Sequence, residues 1–174
     1  MGNQQERSLA WLAGIVEGEG SISFQIYMLP DKRIRVTPYF AVVNSDMKII
    51  GEVCRIFDVL GVKWRDCNKK RSTVAGGSFA GVKHVACIRV DGQKPCKILA
   101  ETLYPFMIGE KRKNAKAIVS FLNSRAIRGI ERNELGHCRR VEYSMSEIEI
   151  ICSVRNHKRA KSSEAIRSAP NVVG

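Results

Sequence analysis

The sequence predicts a single α+β domain built from two units of helix plus strand pair, with helices continuing to the C-terminus. Three observations predict it. Apolar and polar side chains alternate in two runs between residues 21 and 43, the period of half-buried strands. Residues 49–60 switch to a spacing of three and four, the period of a helix with one apolar face. A second strand pair and helices rich in Ala, Ile, Val and Leu follow. A chain of 174 residues fits one domain with a substantial core.

Ser8 is placed to cap a first helix over 9–18. Within it Ala10, Ala13, Gly14 and Gly18 put small side chains on one face. That face admits a second helix backbone at close range, within the domain or from another copy. In the run 21–27, Ile22, Phe24 and Ile26 face a core while Ser23, Gln25 and Tyr27 face away. Pro30-Asp31 marks a turn. In the run 34–43, Arg35, Thr37, Tyr39 and Ala41 share one side, and Val36, Phe40 and Val42 the other. Pro38 cannot donate to a ladder and predicts an edge position or a bulge. Ser45 or Asp46 caps a second helix with the stripe Ile49, Ile50, Val53, Ile56, Phe57 and Leu60, stopped by Gly61. The second strand pair spans 62–70 and 83–90, with a Gly- and Ser-rich loop at 71–81. Pro95 opens a short helix ending near Leu103, Pro105-Phe106 breaks it, and a longer helix runs over 111–127. Residues 128–143 are charged and irregular, and Ser144 or Ser146 starts a last helix. The domain is read as 1–154, followed by a basic, loosely ordered tail over 155–174.

The formal net charge is +12, from 29 Lys+Arg against 17 Asp+Glu. This favours a polyanionic partner, nucleic acid before anionic lipid, because no basic helix carries an aromatic face. No apolar run approaches the ~20 residues of a membrane span. The first seven residues are polar with no signal-type apolar core after them, so an intracellular location is expected, the cytoplasm or an organelle of a eukaryotic host. The six cysteines form no C-x-x-C pair, which argues against a zinc ribbon or finger; the lack of a secretory signal favours reduced thiols, with Cys54 and Cys152 as core residues.

The stretch Leu12-Ala13-Gly14-Ile15-Val16-Glu17-Gly18-Glu19-Gly20 breaks a local rule. It ends a helix on two carboxylates, where the helix dipole is negative and cations are favoured. Such conflicts are expected at functional sites, here one for a cation such as a metal ion.

These nine positions, with Ser21-Ile22 after them, resemble the LAGLIDADG motif of homing endonucleases, with Glu17 and Glu19 at the two acidic places. The order helix, two strands, helix, two strands, helix is similar to the αββαββα core of that fold. The resemblance implies that Glu19 is a metal ligand and Gly18 supplies a main-chain carbonyl to the ion, with Glu17 serving structure at the helix end. The family more often has aspartate at both places. Mg²⁺ suits such a site because it keeps several waters and takes few protein ligands. Mn²⁺ or Ca²⁺ can replace it for binding, Ca²⁺ without cleavage.

The resemblance also implies catalytic roles for a polar residue after the second strand and a basic residue four positions later, Asn44 and Lys48, and for Lys111 after the Pro105-Phe106 break. Their expected work is to organise waters and neutralise the scissile phosphate. From the residues alone Asn44 equally suits a turn, Lys48 a solvated helix face and Lys111 a charged cap. DNA recognition is expected on the polar strand faces, from Ser23, Gln25, Tyr27, Arg35, Thr37, Tyr39, Arg65, Lys69, Lys83 and Arg89, with Lys70, Arg71 and Lys113 nearer phosphates. The register of 62–70 is open, and a slip of one residue exchanges its faces.

One motif per chain leaves half an active site. The resemblance therefore implies a homodimer packed through Ala10, Ala13, Gly14, Glu17 and Gly18, and a nearly palindromic DNA target. The implied activity is metal-dependent, site-specific hydrolysis of double-stranded DNA at a long site, leaving a staggered break with 3′ extensions, in the service of a mobile intron or intein-like element. Two other readings share the fold: an RNA-binding intron maturase and a non-catalytic DNA-binding regulator.

Overall fold

A computed structural model describes residues 2–67, 85–128, 130–132, 138–140, 142–154 and 166–173. Helix α1 (Gly2–Glu19) runs into strand β1 (Gly20–Met28), and β1 turns back as β2 (Ile34–Asn44). Helix α2 (Met47–Val59), the two-residue strand β3 (Arg65–Asp66), β4 (Ala86–Asp91) and α3 (Gln93–Leu103) follow. A 3₁₀ turn (Tyr104–Phe106) leads into α4 (Glu110–Arg128). The C-terminal part holds a short antiparallel pair, β5 (Ile130–Arg132) with β6 (Cys138–Arg140), then β7 (Tyr143–Ser144), α5 (Met145–Val154) and β8 (Val172–Val173), which pairs parallel to β7.

Strands β1–β4 make one antiparallel sheet in the order β1-β2-β4-β3. One of its faces is covered by helices. Ile22, Phe24, Val36, Phe40, Val42, Ile88 and Val90 meet Leu12, Val16, Val53, Phe57, Leu99, Leu103, Ile118 and Phe121 in a continuous core, as the alternation predicts. Phe24 packs edge-on to Phe121, with ring centroids 5.0 Å apart. The opposite face of the sheet is polar and open.

Local chemistry sets the element ends. Asp46 caps α2, its Oδ1 accepting the Lys48 N–H at 2.8 Å, and Gly61, at φ +65°, follows the helix in the left-handed conformation that stops it. Ser144 and Glu147 form a capping box: the Ser144 hydroxyl accepts the Glu147 N–H (3.3 Å), and Glu147 accepts the Ser144 N–H (2.9 Å). Glu147 is fully buried. Its carboxylate also accepts from Ser124 and Arg128 at 3.0 Å each, and Arg125 lies at 3.5 Å, so the charge is compensated on all sides.

Several expectations are corrected. Helix α1 begins at Gly2, so Ser8 lies inside it; residues 3–7 contain no breaker. Pro38 stands in β2, a central strand. Its carbonyl accepts the Gly92 N–H at 3.2 Å, beyond the last residue of β4, so its missing donor faces the point where that ladder has already ended. Strand β3 is far shorter than 62–70 among the described residues; residues 68–84, which hold the loop 71–81, lie outside them. Residues 130–132 and 138–140 pair as strands within the segment read as irregular. The basic tail is not loose along its whole described length. Ile166 and Ala169 join the core, and Asn171 exchanges both its amide groups with the Ile34 backbone at 2.9 Å. With the Tyr143 hydroxyl, which accepts the Val36 N–H at 3.1 Å, this segment satisfies the part of β2 that β4 is too short to cover. Cys54 and Cys152 do pack against the core, although among the described residues the cysteine fully enclosed is Cys96.

Candidate functional site

The wrongly charged end of α1 meets an end of opposite error. Helix α4 opens on Glu110, which suits the positive end of the dipole, but follows it with Lys111, Arg112 and Lys113 in the first turn, where cations are disfavoured. The two ends cross-cap each other. The Lys111 ammonium donates to the Glu17 carbonyl at 2.5 Å, satisfying one of the carbonyls a helix end leaves open. The Glu17 carboxylate accepts the Gly109 N–H at 3.1 Å, next to the start of α4. A Cβ on Gly109 would lie 2.6 Å from Glu17 Oε2, so a larger residue there would push the Glu17 carboxylate aside. Gly20 is required, because its Cβ would meet backbone, 2.6 Å from the Val16 carbonyl oxygen and 2.8 Å from Val16 Cα. Strand β1 can leave α1 this sharply only without a side chain at that point.

The two glutamates therefore have separate environments. Glu17 is half-buried and turned into its own chain, which removes it from the open helix face where it was expected to meet a partner. Glu19 is exposed and makes no hydrogen bond or ion pair among the described residues. Gly18 beside it is exposed, with open space where its side chain would be. Ala10 and Gly14 are exposed on the same turn spacing. Ala13 is wholly enclosed in the core and does not belong to that surface. The small-residue stripe presented outward is thus Ala10, Gly14 and Gly18, one residue per turn.

Asn44 lies at the end of β2, two residues beyond Val42, the register partner of Gly20. Its Oδ1 accepts the Asp46 N–H at 2.8 Å, a turn that starts α2, so its amide nitrogen is the group left for other work. Lys48 is exposed in the first turn of α2. Among the described residues no group of three or more His, Cys, Asp or Glu side chains is arranged to hold a metal ion. One chain offers Glu19 and the Gly18 carbonyl. That set fits a hard cation that keeps most of its waters, and it does not fit one needing a full protein cage.

The open face of the sheet is resolved by its register. Ser23 pairs with Tyr39, Gln25 with Thr37, and Tyr27 with Arg35. Across β2, Tyr39 stands opposite Asp91 and Ala41 opposite Arg89; Arg65 stands opposite Arg89 from β3. Arg65 therefore shares the polar face, which answers the open register. Lys113 is exposed on α4. Lys69, Lys70, Arg71 and Lys83 lie outside the described residues. A hollow of about 510 Å³ opens on this face near the hairpin tip, lined by Tyr27, Arg35, Thr37, Arg65 and Asp91 among others. Asp91 escaped the sequence reading because the strand was ended at residue 90; carrying the alternation Cys87, Arg89 one step further finds it. The Asp91 carboxylate pushes the Arg65 pKa up through a direct hydrogen bond.

No protein-family model matches the chain, and no curated protein matches it by sequence. Among solved structures it is similar to the homing endonuclease I-CvuI in complex with its target in the presence of 2 mM Ca, at 19% identity over 95% of this chain and 94% of that one, with a TM-score of 0.63. It is similar to the archaeal intron-encoded homing endonuclease I-Vdi141I complexed with DNA, at 17% identity over 92% and 94% of the two chains and a TM-score of 0.56. It also matches the LAGLIDADG meganuclease I-AabMI bound to uncleaved DNA, at 16% identity and a TM-score of 0.57, but there 92% of this chain covers only 49% of that one. The α+β architecture of this chain is the LAGLIDADG homing-endonuclease fold.

Proposed function

We propose that the chain is a homing endonuclease of the LAGLIDADG family, acting as a homodimer to cut both strands of a long, nearly palindromic DNA site in a divalent-metal-dependent hydrolysis that leaves 3′ extensions. One observation carries the reading: the exposed stripe Ala10, Gly14 and Gly18 ends next to Glu19, which is exposed and without a partner among the described residues. A second copy packed on that face brings two unpartnered carboxylates together at a two-fold axis. The half-length match to I-AabMI supports it, since two copies of this chain would equal that length. The DNA complexes among its structural neighbours support duplex DNA as the partner.

Mg²⁺, when bound by Glu19 and the Gly18 carbonyl, supplies an activated water and neutralises charge on the phosphate. The chain's own residues do the rest. Lys111 holds the end of α1 through the Glu17 carbonyl, and so holds Gly18 and Glu19 in place. Lys48 and the free amide of Asn44 offer a cation and a donor at the mouth of β2. The open sheet face lays rows of polar side chains along a major groove, whose base edges it can read.

Incubation of the full chain with a library of long duplexes in Mg²⁺, read by sequencing of cut ends, tests the reading. The expected result is cleavage at one selected site with 3′ extensions, abolished in Glu19→Gln, which still binds the site. No cut sequence from the wild type, or full activity in Glu19→Gln, overturns it.

A further inference from the structure

Strands β1, β2 and β4 contain one acidic residue between them, Asp91, and it sits on the open, basic face. Its two oxygens are divided between two arginines. Oδ1 accepts from Arg89 Nε at 2.6 Å and Oδ2 from Arg65 Nε at 2.8 Å. Arg89 is further held by Gln25, whose Oε1 accepts from its terminal nitrogen, and its guanidinium lies 4.0 Å over the Tyr39 ring. Its side chain is only 17% exposed, whereas that of Arg65 is 61% exposed. Among the described residues Arg65 is anchored through Nε alone, which leaves both terminal nitrogens of its fork available to another acceptor.

These positions matter because an arginine on such a face has two fates. A mobile guanidinium binds phosphate oxygens, which carry no sequence information. A guanidinium held at Nε presents a fixed fork, the geometry that matches guanine O6 and N7. Resting on the DNA-cleaving reading above, we infer that Asp91 is a specificity-determining positioning residue. It withdraws the Arg65 guanidinium from the phosphate backbone and aims its fork at a base edge. Its negative charge lowers affinity for DNA in general and raises discrimination between sequences.

The sign of the effect separates this role from simple structural support. In Asp91→Asn the Arg65 guanidinium is released while Gln25 and Tyr39 still hold Arg89, and each extra phosphate contact adds about 0.9 to the salt slope. Binding of full-length protein in Ca²⁺ to a random-sequence duplex should tighten by about tenfold, with the slope of log affinity against log salt steeper by about 1. Affinity for the duplex selected by the wild type from a random library should stay level or fall. Asp91→Glu should keep most of the discrimination. Arg65→Ala should lose preference at one base pair per half-site, the same pair at which Asp91→Asn loses it. Parallel weakening on both duplexes with a lowered melting temperature, or unchanged discrimination in Asp91→Asn, overturns the inference. Wild-type protein that selects no sequence overturns the endonuclease reading and this inference with it, whereas selection that survives Asp91→Asn overturns this inference alone.

Discussion

Replacing Gly14 by leucine separates the folding of one chain from the assembly of two. No atom lies within 4 Å of a Cβ built on Gly14, and the residue is exposed on α1. Within a single chain the first side-chain atom meets no obstacle. It removes a helix-interior glycine, which should favour the helix by about 0.8–1 kcal/mol. In the proposed dimer the same side chain falls between two helices brought close by Ala10, Gly14 and Gly18. Overpacking costs about 1–3 kcal/mol per inserted side chain, and a two-fold axis doubles it to about 2–6 kcal/mol. At about 1.4 kcal/mol per decade the dimer dissociation constant should rise roughly 30-fold to 10⁴-fold. Sedimentation equilibrium gives that constant, circular dichroism reports whether the helices persist, and a cleavage assay reports function. The expected variant is folded, monomeric and inactive. Dimerisation with an unchanged constant refutes the interface, and a monomer that loses its helical signal refutes the claim that Gly14 faces outward.

Further outcomes follow from single contacts. Lys111→Met removes the 2.5 Å bond to the Glu17 carbonyl and should lower stability by about 1–2 kcal/mol in urea titration, with loss of cleavage; the exposed Lys113→Met should shift stability by less than about 0.5 kcal/mol. Gly20→Ala forces a Cβ to within 2.6 Å of backbone at Val16 and should destabilise by about 2–4 kcal/mol, so an unchanged urea midpoint contradicts the described exit from α1. The Cys96 thiol, buried and with Sγ 3.3 Å from the Pro38 carbonyl, is pushed up to about 12 by burial. The folded state then keeps a proton that the unfolded state releases near pH 9, so this residue's contribution to stability should be present below pH 9 and decline as pH rises toward 12. Cys96→Ala should flatten that slope, and an identical slope in both proteins contradicts the enclosed thiol.

Much of the architecture was legible along the chain because its periodicities are local. The alternation over 21–27 and 34–43 assigned each side chain to a face, and the register pairs them as that alternation requires. Asp46, Gly61 and Ser144 were readable as caps or stops because a side chain or a left-handed φ acts within a few residues of the helix end. Asn44 and Glu19 were identifiable as polar residues at element ends, though their states were not. Whether a given Asn tightens a turn or a given carboxylate stays free depends on neighbours that folding supplies.

The sequence by itself determined the fold class, the basic polar face, and the misfit of charge at the end of α1, because each rests on composition or on spacing along the chain. Only the tertiary structure decided how that misfit is resolved. Glu17 and Lys111, 94 residues apart, meet because α4 packs back against α1, and each compensates the other's helix end. The same packing sent Ala13 inward, left Ala10, Gly14 and Gly18 outward, and left Glu19 unpartnered. It also placed Asp91 between Arg65 and Arg89, and bound Asn171 to the start of β2, which β4 does not reach. Contacts between residues far apart in sequence depend on which surfaces pack together, and no period along the chain encodes that.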